Sequence, residues 1–285
     1  MGMNAHHISG YGRHAMKHLA FALSLTVATL VAGPALSAGA SDTDEERATR
    51  WKEIQTSIFG ERTIEPGDAL VKVDAPVRAM DASLVPITLT MPEKDRIKAL
   101  HLVIDDNPSP YAAHFTFGPA ADPGEIKLRV RVNNYTNVHA VAETKDGKLF
   151  ETTKFVKASG GCSAPMGMSD EEAMKGMGDM RLKFAGEPQT GKPVEATLMI
   201  RHPNFSGMQM NQLTREYTPA RYIQTIEVSY GAKNVFTLTG DISISSNPVI
   251  NFAFLPEGKG PVRVVALDNQ NGRWEQSFDA PSPSN

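Results

Sequence analysis

The chain reads as all-β: two immunoglobulin-like β-sandwich domains, with one N-terminal helix and a short helix in the connector between them. Three observations predict this. Short runs rich in β-branched and aromatic residues recur from Ala69 to Phe278, divided by Pro, Gly, Asn and Asp turn signals at sandwich spacing. Lys127, Arg129 and Arg131 alternate with Leu128, Val130 and Val132, as on a strand with one wet face. Helical periodicity is confined to two short stretches.

Taken in order, residues 1–40 read as a secretory leader. Met16-Lys17-His18 is a basic start, Leu19 to Ala32 is uncharged and apolar, and Ala38-Gly39-Ala40 places small residues ahead of a cleavage point before Ser41. Met16 is a candidate initiator. The competing reading is a membrane anchor, for which the apolar run is barely long enough. No cysteine follows the run and no Arg-Arg pair precedes it, so neither a lipid anchor nor export in a folded state is expected. Ser41 to Asn285 is enough chain for one large or two small domains.

The first domain, residues 41–158, opens with a helix over Asp42–Phe59. Ser41 or Thr43 can cap it, acidic residues fill its first turn, and Trp51, Ile54 and Ile58 recur at helical spacing. Strands follow at Ala69–Val73, Val85–Met91, Ala99–Ile104, His114–Gly118, Ile126–Val132, Val138–Glu143 and Leu149–Val156. Turns are expected at Asp105–Pro108, at Pro119–Gly124 and, as a hairpin, at Asp146-Gly147. The connector, residues 159–182, carries Gly160-Gly161-Cys162, then Met166-Gly167-Met168. Ser169 with Glu172 has the spacing of a capping box for a short helix ending near Gly176 or Gly178. The second domain, residues 183–285, repeats the sandwich pattern through strands at Val194–Arg201, Ile223–Tyr230, Asn234–Thr239, Val249–Phe254, Val262–Leu267 and Arg273–Phe278. A preceding strand, Met180–Phe184, spans its start.

Cys162 is the one cysteine of the chain. In an exported protein it cannot close an internal disulfide, so its thiol is inert, paired with another molecule, or kept free. Two glycines before it and small residues after it argue for a thiol on display. Extended, the segment from Val156 would carry the sulfur roughly 20 Å from the sandwich. The nearest histidines in sequence, His139 and His202, belong to strands and share no local motif with it, so a catalytic nucleophile is not expected. With an ordinary pKa, about 3% of the thiol would be thiolate at neutral pH.

The methionines support a different chemistry. Met166, Met168, Met174, Met177 and Met180 follow Cys162, and Met208 and Met210 repeat the Met-x-Met spacing. Thiolate and thioether donors suit Cu(I), and Cys162, Met166 and Met168 form the candidate set. The plainer explanation is gap filling on one face of a short helix. Neither a Cys-x-x-Cys nor a close His pair for zinc follows Ser41, since His6, His7, His14 and His18 all precede it. No phosphate loop, dinucleotide fingerprint or nucleophile elbow is present, so no cofactor and no self-contained enzyme are expected. The formal net charge of -3 without basic clusters gives no reason to expect nucleic acid, or membrane after leader cleavage, as a partner.

Taken together, these residues resemble SoxY and SoxZ, the two halves of the carrier used in thiosulfate oxidation, fused in one chain. The SoxY likeness runs through Phe59–Ile64, Leu84–Ile87, Ile104–Pro110, Arg129–Arg131, Asn137–Ala142 and Asp146-Gly147, and ends at Gly160-Gly161-Cys162. The SoxZ likeness is carried by Ile200–Gly207, Pro219, Ile223, Tyr230-Gly231, Asn247-Pro248 and Asp268-Asn269. The resemblance implies a non-enzymatic, periplasmic carrier. Cys162 would be the covalent attachment point for sulfur intermediates, and Gly160 and Gly161 the flexible arm. It implies periplasmic redox and sulfur-processing enzymes as partners. The fused form further resembles carriers associated with quinoprotein dehydrogenases, which adds a PQQ-dependent alcohol dehydrogenase and c-type cytochromes to that set. A structural accessory of such a dehydrogenase is the alternative reading. In three places the chain departs from the family pattern: the arm is tethered at both ends, Ser163 and Ala164 stand where glycines are expected, and Met80–Ser83 replaces an acidic, glycine-containing turn.

Overall fold

The computed structural model describes residues 42–186, 191–211 and 214–280; the expected leader lies outside them. The described residues form one compact unit. Helix α1 (Asp44–Phe59) begins with the reciprocal bonds of a capping box. The Glu46 amide donates to Thr43 Oγ1 at 3.2 Å, and the Thr43 amide donates to Glu46 Oε2 at 2.7 Å. Such a cap is worth about 1 kcal/mol. Its apolar stripe is narrow: Trp51, Ile58 and Phe59 pack on Val141 and Leu149. Trp51 also stacks on His139, with ring centroids 3.7 Å apart and planes 9° from parallel.

The strands are β1 (Ile64–Pro66), β2 (Lys72–Asp74), β3 (Val85–Thr90), β4 (Ile97–Ile104), β5 (Tyr111–Phe117), β6 (Ala121–Val130), β7 (Thr136–Thr144) and β8 (Leu149–Val156) in the first half. The second half has β9 (Met180–Ala185), β10 (Val194–Ile200), β11 (Ile223–Tyr230), β12 (Lys233–Gly240), β13 (Val249–Phe254), β14 (Val262–Asp268) and β15 (Arg273–Phe278), preceded by helix α2 (Asp170–Met174). They build two sheets, a nine-stranded one in the order β1-β8-β7-β4-β5-β12-β11-β14-β15 and a six-stranded one in the order β2-β3-β6-β13-β10-β9. The all-β sandwich architecture is therefore as the sequence predicts.

The halves meet edge to edge in both sheets. In one, β5 pairs antiparallel with β12, placing Phe115 opposite Leu238; in the other, β6 pairs antiparallel with β13. An edge strand carries unpaired N–H and C=O groups, and each half supplies the partner for the other's edge. One hydrophobic cluster runs across the seam, from Leu102, Phe115 and Leu128 to Phe236, Phe252 and Val264.

Three local expectations change. Pro119–Gly124 reads as a turn, yet β6 starts at Ala121 and contains Pro123 and Gly124. The β6–β13 register jumps between the Ala253–Asp122 and Asn251–Lys127 pairs, so Pro123 sits in a bulge where no ladder N–H is required. The strand expected over Ala69–Val73 shortens to β2, because the Leu70 and Val71 amides both turn back to the Gly67 carbonyl. Arg131, expected on the wet face, lies past the end of β6 and is only 1% exposed.

His139 on β7 has its ordinary pKa raised. Burial opposes the charged form, but Asp105 (3.1 Å from Nε2) and Glu151 (3.6 Å from Nδ1) outweigh it. A raised pKa contributes stability that is fully present below the unfolded value near 6.5 and lost as pH rises through the folded value. Chemical denaturation midpoints should therefore fall as pH rises above about 6.5, and His139→Gln should flatten that dependence. An unchanged slope in the variant contradicts this role.

Candidate functional site

Cys162 is reached from β8 through contacts that fix each step of the chain. The Lys157 amide donates to the Val77 carbonyl at 2.9 Å, and the Ala79 amide donates to the Lys157 carbonyl at 3.0 Å. The Gly160 amide then donates to the Asn133 carbonyl at 2.7 Å, and the Gly161 amide to the Val132 carbonyl at 3.1 Å. Gly160 has φ +74°, a left-handed turn that favours glycine. Gly161 is required for a different reason. A Cβ there would stand 2.1 Å from the Ala82 carbonyl oxygen and 2.5 Å from that of Val132, so the segment docks only without a side chain.

The second half closes the other side. Ser206 Oγ donates to the Cys162 carbonyl, and Gln209 Nε2 donates to the Ala164 carbonyl at 3.2 Å. The Ser206 amide in turn donates to Gln209 Oε1 at 3.1 Å. The expected thiol on display is thus corrected: Cys162 is 0% exposed. Its small neighbours do not leave it in solvent. They let it fit between the Ala82 and Val132–Asn133 segments and the Ser206 loop.

Burial pushes the Cys162 thiol up to about 11, and the Arg131 guanidinium opposes that shift. Burial lowers Arg131 to about 10, with Cys162 and Asp81 pulling the other way, so it stays charged at neutral pH. Its Nη1 donates to the Ile244 carbonyl at 3.2 Å, while its Nε has no hydrogen-bond partner among the described residues.

Around it, Asn107 ties the seam. Its Nδ2 donates to the Arg131 carbonyl (2.7 Å) and to Ser243 Oγ (2.9 Å), and its Oδ1 accepts from the Asn133 amide at 2.8 Å. The Arg131 amide donates to the Ser243 carbonyl at 2.7 Å.

Neither His139 nor His202 is available as a base for the thiol. His139 is engaged by Thr153 and Asp105. His202 Nδ1 accepts from the Asn204 amide at 3.0 Å, so a neutral ring carries its proton on Nε2, 3.5 Å from Asp268 Oδ2. Burial lowers the His202 pKa against the pull of Asp268, which favours that neutral ring. Its role is to shape the loop: Asn204 Oδ1 accepts from the Ile223 amide at 3.1 Å, and its Nδ2 donates to the Ser245 carbonyl at 3.0 Å.

The methionines divide between two environments. Met180 is buried in the core, whereas Met166 and Met168 line a cavity of about 360 Å³ with Met210, Gln209, Asp170 and Thr218. Cys162 is not among its lining residues, so the expected Cys162, Met166 and Met168 set is not assembled around it. Among the described residues no three His, Cys, Asp or Glu side chains gather into a metal-binding group. Ser169 caps helix α2, its hydroxyl accepting from the Glu172 amide at 3.2 Å, which is one half of the expected capping box, and the helix ends at Met174. Sequence reasoning missed Ala82, Arg131, Ser206 and Gln209, whose parts depend on contacts distant along the chain.

Two outcomes follow for the thiol. Burial that pushes its pKa up to about 11 leaves labelling to a local opening of about 2–5 kcal/mol, so iodoacetamide should label the folded protein at least about 30-fold more slowly than the urea-unfolded chain. Equal rates contradict the buried thiol. Ser206→Ala removes one hydrogen bond from the arm, worth about 1 kcal/mol, and should raise the labelling rate of the folded protein about fivefold. No change places the closing contact elsewhere.

Comparison with known proteins places these features. Residues 55–162 match the family model of the sulfur oxidation protein SoxY, the matched stretch ending on Cys162, and residues 181–279 match that of the sulphur oxidation protein SoxZ. Among solved structures, the sulfur carrier protein SoxY from Chlorobium limicola f thiosulfatophilum is 26% identical, covering 39% of this chain and 94% of its own, with a TM-score of 0.35. A β-glycosidase from Bacteroides vulgatus is 9% identical over 76% of this chain and 25% of its own, with a TM-score of 0.21. SGBP-B of the Bacteroides ovatus mixed-linkage glucan utilization locus, in complex with a mixed-linkage heptasaccharide, is 14% identical over 76% of this chain and 48% of its own, with a TM-score of 0.22. No curated protein matches the chain.

Proposed function

This chain belongs to the SoxY and SoxZ families, one following the other in a single polypeptide, and we propose that it is a non-catalytic carrier holding a sulfur intermediate covalently on Cys162. The observation that carries the reading is the setting of Cys162. The sole cysteine ends the SoxY-like segment and is buried at the seam by a few hydrogen bonds rather than by a strand ladder. Each such bond is worth about 1 kcal/mol net, so lifting the arm costs only a few kcal/mol, which a partner's binding energy offsets.

The chemistry requires such a partner. Joining the Cys162 sulfur to thiosulfate forms an S–S bond, releases the thiol proton and removes two electrons. A redox enzyme, such as a c-type cytochrome, must accept those electrons. A thiol pushed up to about 11 reacts slowly alone, which favours activation inside the partner's site over reaction in free solution.

The surface supports docking beside the arm. Val77, Met80, Leu84, Tyr135, Met168 and Tyr217 are exposed large hydrophobics. The first four lie on or beside the segments that hold Gly160 and Gly161, and the last two lie in the connector and beside the Met210 cavity. Exposed apolar side chains gathered beside the arm and the connector mark an interaction surface. The leader-like residues 16–40 support export to the periplasm, and the fused form supports a role beside a PQQ-dependent dehydrogenase.

Intact mass spectrometry of the protein purified from its own host tests the reading. Adduct masses of sulfane or sulfonate groups should appear and vanish in Cys162→Ser, and that variant should abolish thiosulfate oxidation. An unmodified Cys162 under sulfur-oxidising growth, with full activity of the variant, overturns it.

A further inference from the structure

The connector holds a second feature that takes no part in the bond-making at Cys162. We propose that Met166, Met168 and Met210 form a binding site for one soft monovalent cation, Cu(I), separate from Cys162.

Three thioether side chains from two distant segments line one cavity of about 360 Å³. Gly167 stands between Met166 and Met168 with φ +72°, a turn that bends the chain between them. The opposing walls are pinned together. Thr218 Oγ1 donates to Asp170 Oδ2 at 2.8 Å, Gln209 Nε2 donates to the Ala164 carbonyl at 3.2 Å, and the Thr218 amide donates to the Gln209 carbonyl at 2.9 Å. Walls held in this way preorganise the side chains they carry.

Gap filling accounts for this group poorly. Methionines that fill the core here are buried, as Met91 (1% exposed) and Met180 (5%) are, whereas Met168 is 47% exposed at the cavity rim. Thioether sulfur is neutral and soft, a donor that selects Cu(I) over hard divalent ions. The site gathers no imidazole or thiolate, and the one carboxylate on its wall, Asp170, supplies a negative charge beside the bound cation.

Thioethers do not titrate in the working pH range, which separates this site from a thiolate or histidine site, whose affinity falls as its ligands protonate. The test uses the full chain carrying Cys162→Ser, so its outcome does not depend on the carrier reading. Under anaerobic reducing conditions, Cu(I) is titrated in competition with bicinchoninate. One equivalent should bind per chain, with affinity unchanged between about pH 5.5 and 7.5. Met→Leu conserves volume closely, so adding Met210→Leu or the rim substitution Met168→Leu should weaken binding at least tenfold while leaving thermal unfolding near its original midpoint. Absence of binding in the Cys162→Ser protein, affinity that falls with acidification, or equal binding after either methionine change overturns the proposal.

Discussion

Two antiparallel strand pairs, β5 with β12 and β6 with β13, hold the SoxY-like and SoxZ-like halves as one body, and the position of the thiol follows from them. Because the halves join edge to edge, the Ser206 loop of the second half stands opposite the backbone of Ala82 and Val132 in the first. The Gly161 arm occupies the space between. Asn107 and Arg131 belong to the same seam, one satisfying backbone groups from both sides and the other placing a charge inside it. Separating the halves would remove one wall of the thiol's enclosure.

That enclosure resolves two opposing demands on a carrier. A thiol exposed at all times would react with any oxidant it met, while one locked in the core would serve no enzyme. Here the arm is held by single hydrogen bonds to loops, and the sheets beneath it are held by continuous ladders. Local opening is therefore much easier than global unfolding. Burial keeps the thiol protonated at rest, so in the proposed function docking must both release the arm and favour the thiolate. Tethering at both ends is compatible with this, because the connector continues past Cys162 through Met166–Met168 before α2 pins it to Thr218.

Much of the fold was legible in the residues themselves. Strand periodicity located β3, β4 and β7 to β15 closely, while β5 and β6 begin before their expected starts, and the candidate cap Thr43 and the Ser169–Glu172 spacing marked the helix starts, because these signals are local. The three-residue strand β1 escaped notice, since it is short, contains Pro66 and exists by pairing with β8. Cys162 was found as the residue of interest, but its burial was not. The Ser206 hydroxyl that covers it is 44 positions away, and nothing in Gly-Gly-Cys-Ser-Ala encodes that contact. Arg131 misled for the same reason: alternation along β6 assigns it to solvent, and the partner half turns that position inward. The pairing of Met210 with Met166 and Met168 likewise required the fold.

Hydrogen exchange at the Gly160 and Gly161 amides examines the retracted arm most directly. These amides donate to the Asn133 and Val132 carbonyls and are free only when the arm lifts. They should exchange through a local opening of about 2–5 kcal/mol, clearly faster than the β6 and β13 amides and clearly slower than free chain. Exchange as slow as the sheet would mean an arm that opens only when the protein unfolds, and exchange at the free-chain rate would mean an arm that never docks; either contradicts a sheltered, deliverable thiol.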